Sequence, residues 1–409
     1  MRNALAYESA RRLGRYAPRT RYAEVVLNGE YQGIYVITEK IKRDNNRVNI
    51  SRLRPTDISG ADLTGGYIIK IDKATGNDSE GFQSVFMPQH FSNGQRVNYL
   101  YDYPKAEDLM PQQKAYIQAY VDSFERALNG TQFADPVLGY RRFANVESFI
   151  DMMLVNEYSK NVDGYRISTF LTKPKITQDG GRLQAGPIWD YDLAWRNADY
   201  CQGDSYTGWS YNFPNVCPDD YYQPPTWWKR LRTDAGYNNA FRCRWNTFIN
   251  EAFPFVEQLA WVDSVANLLS EAQVRNFEYW PILGTYVWPN PSPIPNTYAG
   301  EVANLKTWLQ NRRSWMQSNI GGVCTVGTEP RLAEAQESKL VCVPNPAHSY
   351  FTISGLEAPS EVELVNTLGQ VCRRWSAGQA SFTLEGLAPG LYRVRLPGPG
   401  KMGSLVVER

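Results

Sequence analysis

Histidine is nearly absent from this chain: His90 and His348 are the two in 409 residues, and each stands in a loop-like setting. That scarcity argues against a Ser-His-Asp or Cys-His nucleophile and against a His-rich metal site. Any chemistry must then fall to carboxylates, Lys, Arg and Asn. Cysteine is sparse too, with six residues and no CxxC, so neither a zinc knuckle nor a redox motif is indicated. No run approaches the ~18 apolar residues of a membrane helix. There is no long basic run and the net charge is +1, so nucleic acid is not an indicated partner. The opening MRNALAYESARRLGRY has charges where a signal peptide needs an apolar core, so none is expected in this chain.

The length allows two or three domains. Residues 3–14 read as a short helix stopped by Gly14 and Pro18. Asn28-Gly29, between two apolar β-branched runs, predicts a hairpin with a type I′ turn. Its second strand would carry Tyr35, Ile37, Glu39 and Ile41 on one face, with Lys40 and Lys42 on the other. GGYIIKIDK (65–73) is a further strand, with Ile68, Lys70 and Asp72 together, and 82–104 adds more strand. Helices follow from Pro111 to Gly130 and over 145–161, strands return at 165–172 and 182–193, and helices cover 238–253, 256–275 and 301–319. Residues 321–338 have linker composition. Over 339–409 short runs alternate with turns, which predicts a small all-β sandwich. The fold class is therefore α+β, with N-terminal strands and a helix-rich second part before that sandwich.

PIWDYDLAW (187–195) is the most chemically pointed stretch. As a strand it would place Trp189, Tyr191, Leu193 and Trp195 on one face and Asp190 and Asp192 on the other, beside Ile188 and Ala194. Two carboxylates beside so much apolar surface repel each other and lose hydration. A hard cation with oxygen ligands would relieve that; so would a turn cap or an Arg partner. Cys201 and Cys217 share one Gly/Ser/Asn/Pro-rich segment and fit a local disulfide if the protein is exported; Cys324 and Cys342 form a second candidate pair, leaving Cys243 and Cys372 single. Eleven of the twelve tryptophans lie between 189 and 315, which reads as core buttressing or as an aromatic binding surface.

Two resemblances sharpen this. PNPAHSYFTISG (344–355), VELVNTLGQVC (362–372), TLEGLAPGLYRVRL (383–396) and the basic ending GKMGSLVVER resemble the type A sorting domain of the type IX secretion system of Bacteroidetes-type bacteria. That implies export by the secretion machinery and release or attachment at the cell surface. LNGEYQGIYVITEKI (27–41), GGYIIKIDK (65–73), LVNEYSKNVDGYRISTFLTK (154–173) and GPIWDYDLAW (186–195) resemble, in order and spacing, the spore coat protein H (CotH) kinase family over roughly 1–320. This resemblance implies an atypical protein-kinase-like fold and transfer of the ATP γ-phosphate to Ser or Thr of proteins, including the kinase itself. It also implies that sequence precedes residue 1. It puts Asp190 at a Mg²⁺-ligand position with Asp192 beside it, and Asp163 at the catalytic position with Asn161 and Glu157 upstream. Ser168 stands near the place where other branches carry an Asn that could ligate metal.

Phosphoryl transfer needs cations, a phosphate-binding Lys or Arg and a carboxylate at the acceptor hydroxyl, and no histidine. Lys70 and Lys40 are the strand lysines for the phosphates, with Glu39 as a holder of one of them. The competing reading is a non-catalytic module that binds glycan or protein through the aromatic-rich loop 200–228. A carboxylate-pair glycosidase using Asp163 and Asp190 is a third.

Overall fold

The computed structural model describes residues 1–75, 79–90, 95–324, 340–354, 361–366, 371–376, 379–396 and 402–408. The chain divides into two compact units, Met1–Cys324 and Thr325–Arg409. Most of the expected 321–338 linker, and the LGQ motif at 368–370, lie outside the described residues.

The first unit is α+β. It opens with α1 (Arg2–Arg12) and the hairpin β1 (Thr20–Leu27) and β2 (Glu30–Thr38). Asn28 and Gly29 have φ 53° and 87°, the positive values a type I′ turn requires. After α2 (Gly60–Leu63) come β3 (Tyr67–Ile71), β4 (Gly81–Gln83) and β5 (Asn98–Tyr103), then α3 (Pro111–Asn129) and α4 (Val146–Ser159). Strands β6 (Thr169–Lys173) and β7 (Gln184–Ala185) complete an antiparallel sheet of order β4-β5-β3-β6-β7. Helices α5 (Phe213–Val216), α6 (Trp227–Leu231), α7 (Ala235–Thr247), α8 (Phe255–Leu268), α9 (Ala272–Tyr279) and α10 (Tyr298–Asn319) follow.

Helix α4 is the axis of this unit. Every residue in it except Glu147 is buried, and an apolar helix buried all round belongs at the centre of a helical layer. Asn145 caps it, its side chain accepting the Ser148 N–H at 3.0 Å. Around α4 pack Trp195, Trp227, Trp228 and Trp245, all at most 1 % exposed. The tryptophan-rich stretch is thus largely core. Trp280 and Trp288, 46 % and 68 % exposed, are exceptions.

The hairpin leans on α9 rather than on the five-stranded sheet. The Ile34 N–H donates to Asn276 Oδ1 at 2.9 Å and Trp280 Nε1 donates to Gln32 O at 3.0 Å. Gly33 is required there, because a Cβ would stand 2.7 Å from Asn276 Oδ1. The expected apolar face of β2 is not buried: Tyr35 and Ile37 are exposed, and the strand ends at Thr38 before Glu39 and Ile41.

Two sequence expectations are corrected. Residues 182–193 are not a strand; pairing stops after Ala185, and 186–195 is a loop. Cys201–Cys217 is a disulfide, but the second bridge is Cys243–Cys324, not Cys324–Cys342. Cys324 ends the first unit beside α7, where the preceding Val323 N–H is held by Asn239 Oδ1 at 2.8 Å, whereas Cys342 is buried in the core of the second unit.

The second unit has two antiparallel sheets. One has the order β11-β10-β13-β14, from β10 (Val362–Val365), β11 (Val371–Trp375), β13 (Gly390–Arg395) and β14 (Met402–Val407). The other has the order β12-β9-β8, from β8 (Val341–Val343), β9 (Tyr350–Ser354) and β12 (Phe382–Thr383). Residues of both sheets share one apolar cluster that includes Phe351, Trp375, Phe382, Val394 and Leu405. No helix among the described residues is long and apolar enough to cross a membrane.

Candidate functional site

The site begins where α4 stops. Lys160 adopts left-handed backbone, φ 48° and ψ 46°, and turns the chain sharply out of the helix. Asn161 and Asp163 follow in the turn. Gly164 lets that turn lie against α4: a Cβ there would stand 2.6 Å from Asn156 Oδ1. That oxygen already accepts Tyr191 Oη at 2.6 Å.

The second arm is the loop after β7. Its aromatics are anchors: Tyr191 and Trp195 are buried, and Trp195 meets the Tyr158 ring edge-on at 5.3 Å. The Trp195 N–H donates to Ser159 O at 2.8 Å. Asp190 and Asp192 remain at the rim with access to solvent, although the atoms crowded around the Asp190 carboxyl partly desolvate it. The separation of aromatics from acids that a strand would have imposed thus arises in a loop, through anchoring on α4.

Asn161 joins the two arms. Its Nδ2 donates to Asp190 O at 3.2 Å, and its Oδ1 accepts the Asp163 N–H at 3.3 Å. The Asp190 N–H donates to Tyr7 Oη at 3.2 Å, so α1 braces the same loop. Ser168 Oγ donates to Asp190 Oδ2 at 3.4 Å.

The carboxylates feel one another. Asp190 is pushed up to about 6, first by desolvation and then by the adjoining Asp192 and by Asp163, with the Ser168 hydroxyl opposing them. Burial also raises Asp163, with Arg166 and Lys73 opposing and Asp192 and Asp220 adding to the rise. Among the described residues no three His, Cys, Asp or Glu side chains form a metal cluster on their own. Mg²⁺ asks for less, since it takes one or two carboxylates and completes its shell with water and phosphate oxygens. The mutual repulsion of Asp190 and Asp192 is the kind a cation between them would relieve.

Lys70 lies on the same sheet. It pairs with Phe170, directly across the β3–β6 ladder, so both side chains share a face. Ile68 and Phe170 on that face pack against Trp189 of the acidic loop. Two residues along, roughly 7 Å, the ladder reaches the end that Ser168 continues. Lys70 is paired with Asp72 at 3.3 Å. A cavity of about 400 Å³ lined by Ile34, Phe277, Val287, Trp288, Tyr298 and Leu305, among others, contains none of these residues.

Three of the predicted site residues stand elsewhere. Glu39 pairs with Arg19, not with a lysine: it accepts from the Arg19 N–H at 3.0 Å and from Nε at 2.9 Å, and these bonds hold its carboxyl below the usual range. Lys40 is exposed beyond the end of β2. Glu157 is wholly buried on α4. It accepts Tyr165 Oη at 2.9 Å and the N–H groups of Ser210 and Tyr211 at 2.7 and 2.9 Å, and lies 3.8 Å from Arg312. It pins the disulfide-closed loop from within the core.

Sequence reasoning missed Arg166, Asp220 and Lys73. Arg166 was findable: in a turn the side chains at i and i+3 can meet, and Arg166 Nη2 lies 2.6 Å from Asp163 Oδ1. Lys73 and Asp220 carried no such signal, because loop closure brings them in.

The rival aromatic surface is mostly interior. Trp227 and Trp228 are fully buried and Trp209 packs on Trp315 at 4.8 Å; within that loop Tyr206 and Tyr221 are the exposed large aromatics.

A search of curated proteins returned no match. A family model described as CotH kinase protein matches residues 1–316, which span both arms of the site and the sheet beside them. The chain belongs to the CotH kinase family.

Proposed function

We propose that this protein is an exported atypical kinase that moves the γ-phosphate of ATP to a Ser or Thr hydroxyl of a protein, itself included, with Mg²⁺. The observation that carries the reading is that Asn161 ties the Asp163 turn to the loop of Asp190 and Asp192, and Ser168 ties that loop to the end of the sheet whose face bears Lys70. Asp163 and Asp190, each raised by desolvation and by neighbouring carboxylates, are poised for a cation and a proton, the two things phosphoryl transfer must manage.

In this reading Asp190 and Asp192 hold the metal, which supplies positive charge to the phosphate oxygens. Lys70 and Lys73 add charge on the other side of the phosphates. Asp163 takes the proton of the acceptor hydroxyl: Arg166 occupies its Oδ1, and Oδ2 has no hydrogen-bond partner among the described residues. Asn161 keeps the two acidic arms in register through its two hydrogen bonds. The kinase-like arrangement of the first unit belongs to the same proposal.

Export is the second part. The two disulfides suit an oxidising compartment. The second unit, with its PNP, LGQ and GLYRV motifs, acts as a type A sorting domain read by the type IX secretion machinery. Deleting residues 340–409 should retain the protein in the cell; unchanged export would remove this part.

Transfer is tested with γ-labelled ATP, Mg²⁺ and a mixture of exported proteins. Label should appear on Ser or Thr, and Asp163→Asn should lower it by roughly 10²–10⁴-fold. Equal labelling by wild type and Asp163→Asn would sink the reading.

A further inference from the structure

The Arg166 side chain is 4 % exposed, and each of its three nitrogens donates to a protein acceptor. Nε donates to Val162 O at 2.9 Å, Nη1 to Asp220 Oδ1 at 3.0 Å and Tyr222 O at 3.3 Å, and Nη2 to Asp163 Oδ1 at 2.6 Å. The guanidinium lies 4.4 Å from the Phe213 ring centroid. Phe213 sits inside the loop closed by Cys201–Cys217, and Asp220 and Tyr222 lie just beyond it. That segment is itself immobilised from below: Arg312 donates to Tyr206 O at 2.9 Å and Gly208 O at 2.7 Å, and Trp308 to Asp204 O at 2.8 Å.

A carboxylate rotates broadly about its last torsion unless something fixes its plane. One clamped oxygen fixes it. A planar guanidinium does this better than an ammonium, because its donors stand in a rigid fork. We propose that Arg166 is a positioning residue: it clamps Asp163 Oδ1 so that Oδ2 alone meets the acceptor hydroxyl, and it transmits the rigidity of the disulfide-closed segment to Asp163. This rests on the phosphoryl-transfer reading above. Every nitrogen of Arg166 already donates to a protein acceptor, so its loss should slow transfer without loosening Mg·ATP.

The test is steady-state transfer from Mg·ATP by the whole chain and by Arg166→Gln, Arg166→Lys and Asp220→Asn, with Mg·ATP dissociation constants measured by calorimetry. Arg166→Gln should lower kcat by about 10²-fold, the cost of a misplaced reacting group. Its KM and dissociation constant for Mg·ATP should stay within about 2-fold of wild type. Arg166→Lys should recover part of kcat. Asp220→Asn, which leaves Arg166 and Asp163 in place but frees one end of the fork, should lower kcat by roughly 3–10-fold at unchanged KM. If Arg166→Gln does not fold, Asp220→Asn decides by the same split. Unchanged kcat in the folded variants, or kcat and affinity falling together, overturns the inference while leaving the kinase reading intact. A wild-type protein that binds no Mg·ATP or transfers no phosphate overturns the reading, and the inference with it.

Discussion

Ser168 and Asp190 touch at 3.4 Å, and both hold left-handed backbone, with φ 50° and 64°. Such conformations are uncommon outside glycine and persist where surrounding contacts over-determine them. Here Tyr7 and Asn161 fix the Asp190 backbone from two sides. The contact closes the gap between the end of the sheet and the acidic loop, where the charge gathers.

Asp190→Asn should keep the fold, since Asn tolerates the left-handed region and the amide removes the repulsion from Asp192. Desolvation, with Asp192 and Asp163 adding to it, raises the native carboxyl from 3.8 to about 6, so the native state keeps its proton longer than the unfolded chain. Its contribution is therefore favourable at low pH and is lost as pH rises from about 4 to 6. Urea unfolding at pH 7 should find the variant equal to wild type or up to about 1 kcal/mol more stable, after allowance for solvent screening. The difference should vanish at pH 4.

Lys173 is 1 % exposed, with its ammonium 4.3 Å from the Tyr120 centroid and 5.6 Å from that of Tyr116. It donates to Thr64 O and has no carboxylate partner among the described residues. Burial lowers it from 10.5 to about 7. Between these values the unfolded chain binds the extra proton, so wild-type stability should climb with pH from about 7 to 10. Lys173→Met should be about 1–3 kcal/mol more stable at pH 6, with the gap closing by pH 10, as read by chemical unfolding.

Arg312 and Glu157 form a fully buried pair beneath the 204–211 segment. Removing one partner strands the other charge, so Arg312→Met should cost about 3–5 kcal/mol. Adding Glu157→Gln should restore part of the loss. A double variant as unstable as the sum of the singles would deny the coupling.

The Cys201–Cys217 bridge closes a 16-residue separation, for which chain entropy sets a ceiling near 3 kcal/mol. Replacing both with Ser should cost about 1–3 kcal/mol, because Glu157, Arg312 and Trp308 still hold the loop. Denaturant unfolding under non-reducing conditions measures it.

Local signals were the legible ones. Asn28-Gly29 announced its turn, and Pro111 with Gly130 bounded α3. The family resemblance supplied Asp163, Asp190 and Asp192; the alternation in PIWDYDLAW set Tyr191 and Trp195 apart from the acids, but it also put the buried Ile188 and Ala194 with them, and the strand behind that reasoning is absent. The partners were not legible. Glu39 finds Arg19 across 20 residues, Cys243 finds Cys324 across 81, and Glu157 finds Arg312 across 155. Such pairings depend on how the chain closes on itself, which neither periodicity nor spacing encodes. The helical stretches beyond 225 were found as stretches, but breaks such as that between α8 and α9 left no mark in the pattern.

The account stands on Asp190 and Asp192 holding a cation that a nucleotide shares. A thermal-shift titration with Mg²⁺, ATP and both together, on wild type and Asp190→Asn, tests it most directly. Wild type should be stabilised when both are present, by about 2.7 kcal/mol at a hundredfold excess over the dissociation constant, and Asp190→Asn should lose that gain. No stabilisation of the wild type, or the same stabilisation in Asp190→Asn, would contradict it.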